Sequence, residues 1–410
     1  MPDFNNLFSK NANNMKASAI RELLKLTQQP DIISFAGGLP SPDTFPVEDL
    51  KEAANIVFDT QAKKALQYGA TEGDNNLKGE LLKFETKQGL KLDGDNILIV
   101  SASQQALDIV SKIFLDPGDY VIAERPSYLG AIQVFQAYSA HVLGVDISAE
   151  HAGFDMAVLE SKYAEAVKQG KKIKFIYVIP DFQNPAGLCW SLEKRKALLE
   201  FAYKTDLPIV EDSPYREIRF MGDPIPSLYQ LDQHGENKNN VISLKTFSKI
   251  LSPGVRLGWI IAPKDVLSKF IVAKQSMDLC TCVFTQCWLA EYMKTGKLYD
   301  TIEKTRKLYN EKRNLMVAAL EKYLPRHPEL KWTKPEGGLF LWVTLPKSID
   351  ANKLFPKALE KKVAFIAGSD FYFDEPRHNE LRINFSYPSP EQIDEGAKRL
   401  GLVIEEALKA

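Results

Sequence analysis

From about residue 97 the chain alternates short, unbroken apolar runs with stretches of helical character, and this alternation restricts the possible folds more than any other feature. "NILIVSA" precedes "SQQALDIVSKIFL", and "DYVIAE" precedes "YLGAIQVFQAY", with "HVLGVDI" after it. "IKFIYVI" leads through a loop to "SLEKRKALLEFAYKT", and then come "LPIVEDS", "NVISLKT" and "RLGWIIAP". Apolar runs of this length, bounded by turn residues, suit strands covered on both faces. Their alternation with helices predicts right-handed crossovers and an α/β fold, a mainly parallel sheet flanked by helices. Beyond about residue 295 the texture changes. A long charged helical stretch is followed by "GGLFLWVTL", a helix, "VAFIAG", "ELRINFSY" and a last helix. That helix begins "SPEQ", where Ser389 can cap, Pro390 fits the first position and Gln392 can close a capping box. The expectation is a smaller α+β domain, joined by the N-terminal segment. The divisions are 1–45, 46–295 and 296–410.

Length and composition narrow the partners. The 410 residues are 45% hydrophobic, enough for a large core, and the formal net charge is −1. No global field draws such a chain to nucleic acid or to an anionic membrane. No apolar run is long enough to span a bilayer, and the first thirty residues lack the apolar core of a signal peptide. Four cysteines form no disulfide framework, so a reducing, cytoplasmic setting is expected. Cys280, Cys282 and Cys287 cluster, but no nearby histidine completes a zinc pattern, and no metal is expected.

Ligands of open parallel sheets bind beyond the carboxyl ends of the strands. The segments just after the apolar runs are Ser101–Gln105, Pro126–Tyr128, Gln183–Gly187, Asp212–Tyr215 and Thr246–Lys249, all rich in hydrogen-bonding groups. Ser103 and Gln104 open a helix whose N–H groups suit a phosphate; Thr246 and Ser248 add hydroxyls, and Arg256 adds a fork for two phosphate oxygens. Asp212 ends a buried strand and could hold a ring nitrogen protonated. Tyr215 and Asn184 could bond a ring oxygen, and Tyr128 could stack on the ring face. Lys249, desolvated near Arg256, would be nucleophilic and able to form a Schiff base with an aldehyde. Singly, each residue has a plainer reading: an N-cap for Ser103, a turn cap for Asp212, a core ring for Tyr128, a solvated charge for Arg256 and Lys249. Converging, they describe a site for pyridoxal 5′-phosphate.

The motifs "FAGGLPSPDTFP", "QYGATEGDNNLK", "SASQQALD", "ERPSYLG", "PDFQNPAG", "EDSPYREI", "TFSKILSPGVRLGW", "PEGGLFLW" and "LRINFSY" occur in this order along nearly the whole chain. With them the sequence resembles the fold-type I, pyridoxal-phosphate-dependent aminotransferases of class I. Within these it is most similar to the 2-aminoadipate/kynurenine aminotransferase group, the LysN-like branch. The resemblance implies transfer of an amino group from a 2-amino acid to a 2-oxo acid such as 2-oxoglutarate. The alternatives are a lyase or decarboxylase of the same fold, or a pyridoxal-phosphate-binding regulator-like protein. It implies that Lys249 carries the cofactor and shuttles the proton, and that Asp212 pairs with the ring nitrogen. Asn184 and Tyr215 would bind the ring hydroxyl and Tyr128 would stack, with Ser103, Gln104, Thr246, Ser248 and Arg256 on the phosphate. Tyr68, in "LQYGA", would reach a partner subunit's phosphate, which implies a homodimer with shared sites. Arg382, in "LRINF", would clamp the substrate α-carboxylate, with Asn184 beside it, and a guanidinium suits that bidentate task on chemical grounds too. Gly38 would let the backbone approach the substrate. The stretch "MKASAIRELLKLTQQPDII" resembles the branch's mobile lid, in which Arg21, near Ser18, would pair with a side-chain carboxylate. That would admit 2-aminoadipate and glutamate, with aromatic and branched-chain amino acids entering when the lid swings away.

Overall fold

The computed structural model describes residues 4–15, 31–148, 150, 152–235 and 239–409. Its strands are β1 (Ile33–Ser34), β2 (Ile97–Val100), β3 (Tyr120–Arg125), β4 (His141–Ser148), β5 (Gly153–Phe154), β6 (Ile173–Val178), β7 (Ile209–Asp212), β8 (Val241–Thr246), β9 (Gly258–Ile261), β10 (Lys331–Trp332), β11 (Phe340–Thr344), β12 (Val363–Ala364), β13 (Ile366–Ala367) and β14 (Glu380–Asn384). Eight of them form one sheet in the order β2-β9-β8-β7-β6-β3-β4-β5. The pairs β3/β4, β3/β6, β6/β7 and β7/β8 are parallel. β9 runs against both β2 and β8, so β2 shares their direction. Six strands therefore end on one edge, and the loops singled out in the sequence leave from that edge.

The local chemistry matches the pattern. β2, β7, β8 and β9 are buried along their whole length, as continuous apolar runs require. β8 nevertheless contains Lys245. Its ammonium is tolerated because Glu85 lies at 2.9 Å and Glu217 at 3.3 Å, and all three groups are buried. Helices such as Ala102–Phe114 and Leu192–Thr205 supply the crossovers. Ser191 caps the second of these through the Lys194 N–H.

A second sheet is antiparallel, in the order β10-β11-β14-β13. The long helix Lys297–Tyr323 packs against the last helix, Pro390–Lys409. The predicted capping box is present at that last helix: the Gln392 N–H donates to Ser389 Oγ at 3.2 Å, and Gln392 Oε1 accepts the Ser389 N–H at 2.9 Å. The N-terminal part joins this region through β1, which pairs in parallel with β12 at Ile33↔Val363 and Ser34↔Ala364. From there the chain passes the cavity described next before entering the helix Val47–Ala65.

Candidate active site

The strand-end loops converge on one cavity of about 440 Å³. Among the described residues, every candidate but Tyr68 lines it. Tyr68 is 79% exposed and is not among the residues lining its own cavity. Arg21, with Ser18, lies outside the described residues.

At one end of the cavity the helix Ala102–Phe114 begins immediately after β2. Its N-cap is Ser101, so Ser103 sits inside the first turn and is not the cap. The Ser101 N–H is instead satisfied by Gln105 Oε1 at 2.7 Å. Gly258 permits this placement. A Cβ there would meet the Lys245 carbonyl oxygen at 2.4 Å and Ala102 Cα at 3.0 Å. Two non-glycine residues of the cavity, Ala102 (φ 61°) and Arg256 (φ 49°), have left-handed backbones, the kind of strain that collects at functional sites. Thr246 Oγ1 lies 2.9 Å from Ser248 Oγ and accepts the Ser248 N–H at 3.1 Å. With the first-turn N–H groups and the exposed Arg256 fork, these hydroxyls form an anion receptor.

Asp212 ends β7 at the cavity floor and is 2% exposed. Its Oδ2 accepts from Tyr177 at 2.8 Å, while Oδ1 has no hydrogen-bond partner among the described residues. Burial pushes this carboxyl up to about 7, against the pull of the Tyr177 hydroxyl. An orphaned, buried carboxylate oxygen of this kind fits a protonated ring nitrogen. The Tyr128 hydroxyl donates to Gln104 Oε1 at 3.3 Å. Tyr215 is buried beside Asn184, and burial raises its phenol above the ordinary range. Anion receptor, carboxylate floor, rings and lysine together fit pyridoxal phosphate.

Lys249 projects into the cavity wall, where its Nζ donates to the Gly38 carbonyl at 2.9 Å. Desolvation, and after it the charges of Arg382 and Arg256, lowers its pKa to about 8. Gly38 itself lies against Phe340, whose Cζ is 3.2 Å from where a Cβ would stand. The depressed pKa has a measurable consequence. With cofactor removed, the rate at which the apoprotein captures pyridoxal phosphate should rise with pH and level off above about 8. An ordinary lysine would keep gaining up to about pH 10.4. Stopped-flow absorbance checks this, and a profile still climbing at high pH would refute the desolvation argument.

Arg382, on β14, is 4% exposed. It donates to Asn184 Oδ1 and to the Ala36 carbonyl, both at 2.8 Å. Its guanidinium lies over the rings of Phe340 (4.2 Å) and Phe371 (4.9 Å). Among the described residues no carboxylate pairs with it, and burial brings its pKa down to about 10. Tyr177, Phe340, Phe371 and the Ala36 carbonyl were not singled out in the sequence. Each looks there like ordinary core or backbone, and no local pattern marks it.

The family model for aminotransferase class I and II matches residues 30–400. The chain belongs to the class I and II aminotransferases. Aromatic-amino-acid aminotransferase 1 of Thermococcus litoralis is 43% identical over 99% of this chain and 96% of its own length. The crystal structure of Pyrococcus horikoshii kynurenine aminotransferase, with PMP, kynurenine and its product, matches with TM-score 0.93 and 45% identity, covering 100% of this chain and 99% of that one. LysN, the α-aminoadipate aminotransferase of Thermus thermophilus, was solved with N-(5′-phosphopyridoxyl)-L-leucine. It matches with TM-score 0.90 and 38% identity over the whole of both chains. The chain is a pyridoxal-phosphate-dependent transaminase with the fold-type I architecture.

Proposed function

We propose that this transaminase takes the amino group from a broad set of 2-amino acids and passes it to a 2-oxo acid such as 2-oxoglutarate. The donors include 2-aminoadipate, glutamate, and aromatic and branched-chain amino acids. The observation that carries the reading is Arg382. It is a buried guanidinium without a carboxylate partner among the described residues, and it faces the same cavity as Lys249. A substrate α-carboxylate meets that need whatever side chain follows it, which supports breadth. The names of the relatives, aromatic-amino-acid, kynurenine and α-aminoadipate aminotransferases, support the same range.

Bound pyridoxal phosphate supplies an electron-accepting ring that stabilises the charge left at the substrate Cα when its proton departs. The protein's own groups do the rest. Asp212 keeps the ring nitrogen protonated, Asn184 and Tyr215 bind the ring hydroxyl, and Tyr128 stacks on the ring. Ser103, Gln104, Thr246, Ser248 and Arg256 hold the phosphate. Arg382 grips the α-carboxylate, with Asn184 fixing its orientation and Gly38 leaving room beside it. Lys249 is the catalytic base: its amine, with lowered pKa, takes the Cα proton and carries it across the face of the site. Tyr68 completes the phosphate site of a second copy in a homodimer. Its exposure and its position outside its own cavity support that assignment. The division into an N-terminal segment, a large domain and a small domain belongs to the same reading, supported by the three separate sheets. A cytoplasmic setting is supported by four free thiols.

The test is a half-reaction. Adding a single amino acid to the cofactor-loaded enzyme should convert the cofactor's absorbance and release one 2-oxo acid, across a panel of donors. Release of carbon dioxide or a cleaved side chain instead would point to the lyase chemistry of the same fold. Within that panel, Arg21→Ala should slow 2-aminoadipate and glutamate by about tenfold or more while leaving leucine unchanged, as loss of one charge-assisted contact implies. An equal effect on all donors would remove the assignment of Arg21 to acidic side chains.

A further inference from the structure

Behind the Asn184 loop lies a carboxylate that the reaction described above does not use. Glu124, near the end of β3, is 0% exposed. Among the described residues no cation pairs with it. Its Oε1 accepts from Trp190 Nε1 at 2.8 Å; its Oε2 accepts the Ile179 N–H at 3.0 Å and Gln183 Nε2 at 3.4 Å. All three partners can only donate. They therefore recognise the ionised form, because a protonated acid would turn its O–H onto another N–H. Burial pushes the carboxyl up to about 8 while these donors pull it back toward the ionised form. The geometry of three N–H donors marks the ionised carboxylate as the species the site is built for, and perturbed buried groups gather at functional sites.

What Glu124 holds is the framework of the site. Ile179 is part of the cavity wall. Gln183 is gripped on every polar atom. Its Nε2 also donates to the Pro126 carbonyl at 2.8 Å, and its Oε1 accepts the Ala186 N–H at 2.8 Å. Its own N–H donates to the Leu188 carbonyl at 2.8 Å, and its carbonyl accepts the Gly187 N–H at 2.6 Å. One side chain thus joins the loop that carries Tyr128 to the loop that carries Asn184. Trp190 closes the far end, its backbone N–H donating to the Pro180 carbonyl at 2.8 Å. Asn184, the next residue after Gln183, has its carboxamide oriented by two neighbours, with Oδ1 on Arg382 and the amide nitrogen toward Tyr215. An uncharged amide at position 124 would aim N–H groups at donors and loosen this arrangement.

We propose that Glu124 is a positioning residue of this transaminase: with Gln183 it sets the Asn184 carboxamide that aims the Arg382 guanidinium at the substrate carboxylate. The proposal rests on the roles given above to Arg382 and Asn184. In the holoenzyme, Glu124→Gln should raise KM for the amino acid and the 2-oxo acid by about tenfold, while kcat changes by no more than about threefold. Calorimetry should give the same rise in the Kd of 3-phenylpropionate, a carboxylate with no amino group to transfer. Gln183→Met cuts the same chain one link later and should shift KM and Kd in the same direction, which covers the case of a poorly folded Glu124 variant. Leu354→Ala, a core truncation on the helix Ala351–Glu360, lowers Tm without touching this network and should leave both constants unchanged. Unchanged KM and Kd in both network variants would overturn the proposal, as would an equal rise in Leu354→Ala. Arg382→Gln separates the two levels. If it leaves KM unaltered, the substrate-site reading itself fails. If it raises KM while the Glu124 and Gln183 variants do not, only the positioning role fails.

Discussion

Replacing Lys249 by alanine should lower kcat by about 10³- to 10⁴-fold, the upper range for losing a positioned acid–base group. The site predicts this because the amine cannot be replaced by a neighbour. Arg382 is held by Asn184 Oδ1 and the Ala36 carbonyl, and Asp212 sits at the floor with one oxygen on Tyr177. The variant should fold normally, since among the described residues the side chain makes a single hydrogen bond, to the Gly38 carbonyl. A small exogenous amine should restore part of the rate, because the missing element is a proton carrier of the right pKa in a cavity large enough to admit one. Steady-state assays with and without the amine check the point. A variant within about tenfold of the parent would mean that another group moves the proton.

Asp212→Asn should cost about 10²- to 10³-fold in kcat, in line with removing one preorganised charge from a site where charge develops. Asparagine keeps the shape but cannot balance a cationic ring nitrogen, and its amide would present N–H groups to that nitrogen or to Tyr177. The same carboxylate gives a pH signature. In the apoprotein its pKa stands near 7, above the ordinary 3.8, so the folded state binds more protons than the unfolded chain between those values. Its contribution to stability is therefore lost as pH rises toward 7. A cationic ring beside it removes that loss. The gain in Tm on loading the cofactor should then be larger at pH 8 than at pH 5, and Asp212→Asn should flatten the difference. Calorimetry of apo and loaded forms at the two pH values would decide it; a gain that falls with pH would contradict the pairing.

Much of the large sheet could be read in the sequence because its strands are continuous apolar runs, and the loops at their carboxyl ends carry the polar residues of the cavity. Ser103, Asp212, Thr246 and Lys249 all lie within a few residues of a strand or helix end, where such patterns are visible, and Asn184 sits in the loop that follows β6. The groups that went unrecognised are long-range or chemically plain. Tyr177 is one aromatic in the apolar run of β6, and its hydroxyl matters only because β7 places Asp212 beside it. Phe340 and Phe371 look like core residues, and only the folded β11 and the turn at Gly368–Phe371 bring them onto Arg382. The same holds for Glu124. A glutamate before "RPSYLG" looks like a surface charge until Trp190, 66 residues later, donates to it.

The pairing of β1 with β12 ties two fates together. The Ile33–Ser34 stretch is zipped to Val363–Ala364, the Phe35 carbonyl takes the Asn384 N–H, and the Ala36 carbonyl takes Arg382. Any rocking of the smaller sheet against the larger one would carry the Ala36–Gly38 backbone and the carboxylate receptor as one rigid jaw, leaving Lys249 on the anvil. The Lys249–Gly38 hydrogen bond crosses that gap, so the jaw is latched by an amine that the incoming substrate must itself engage.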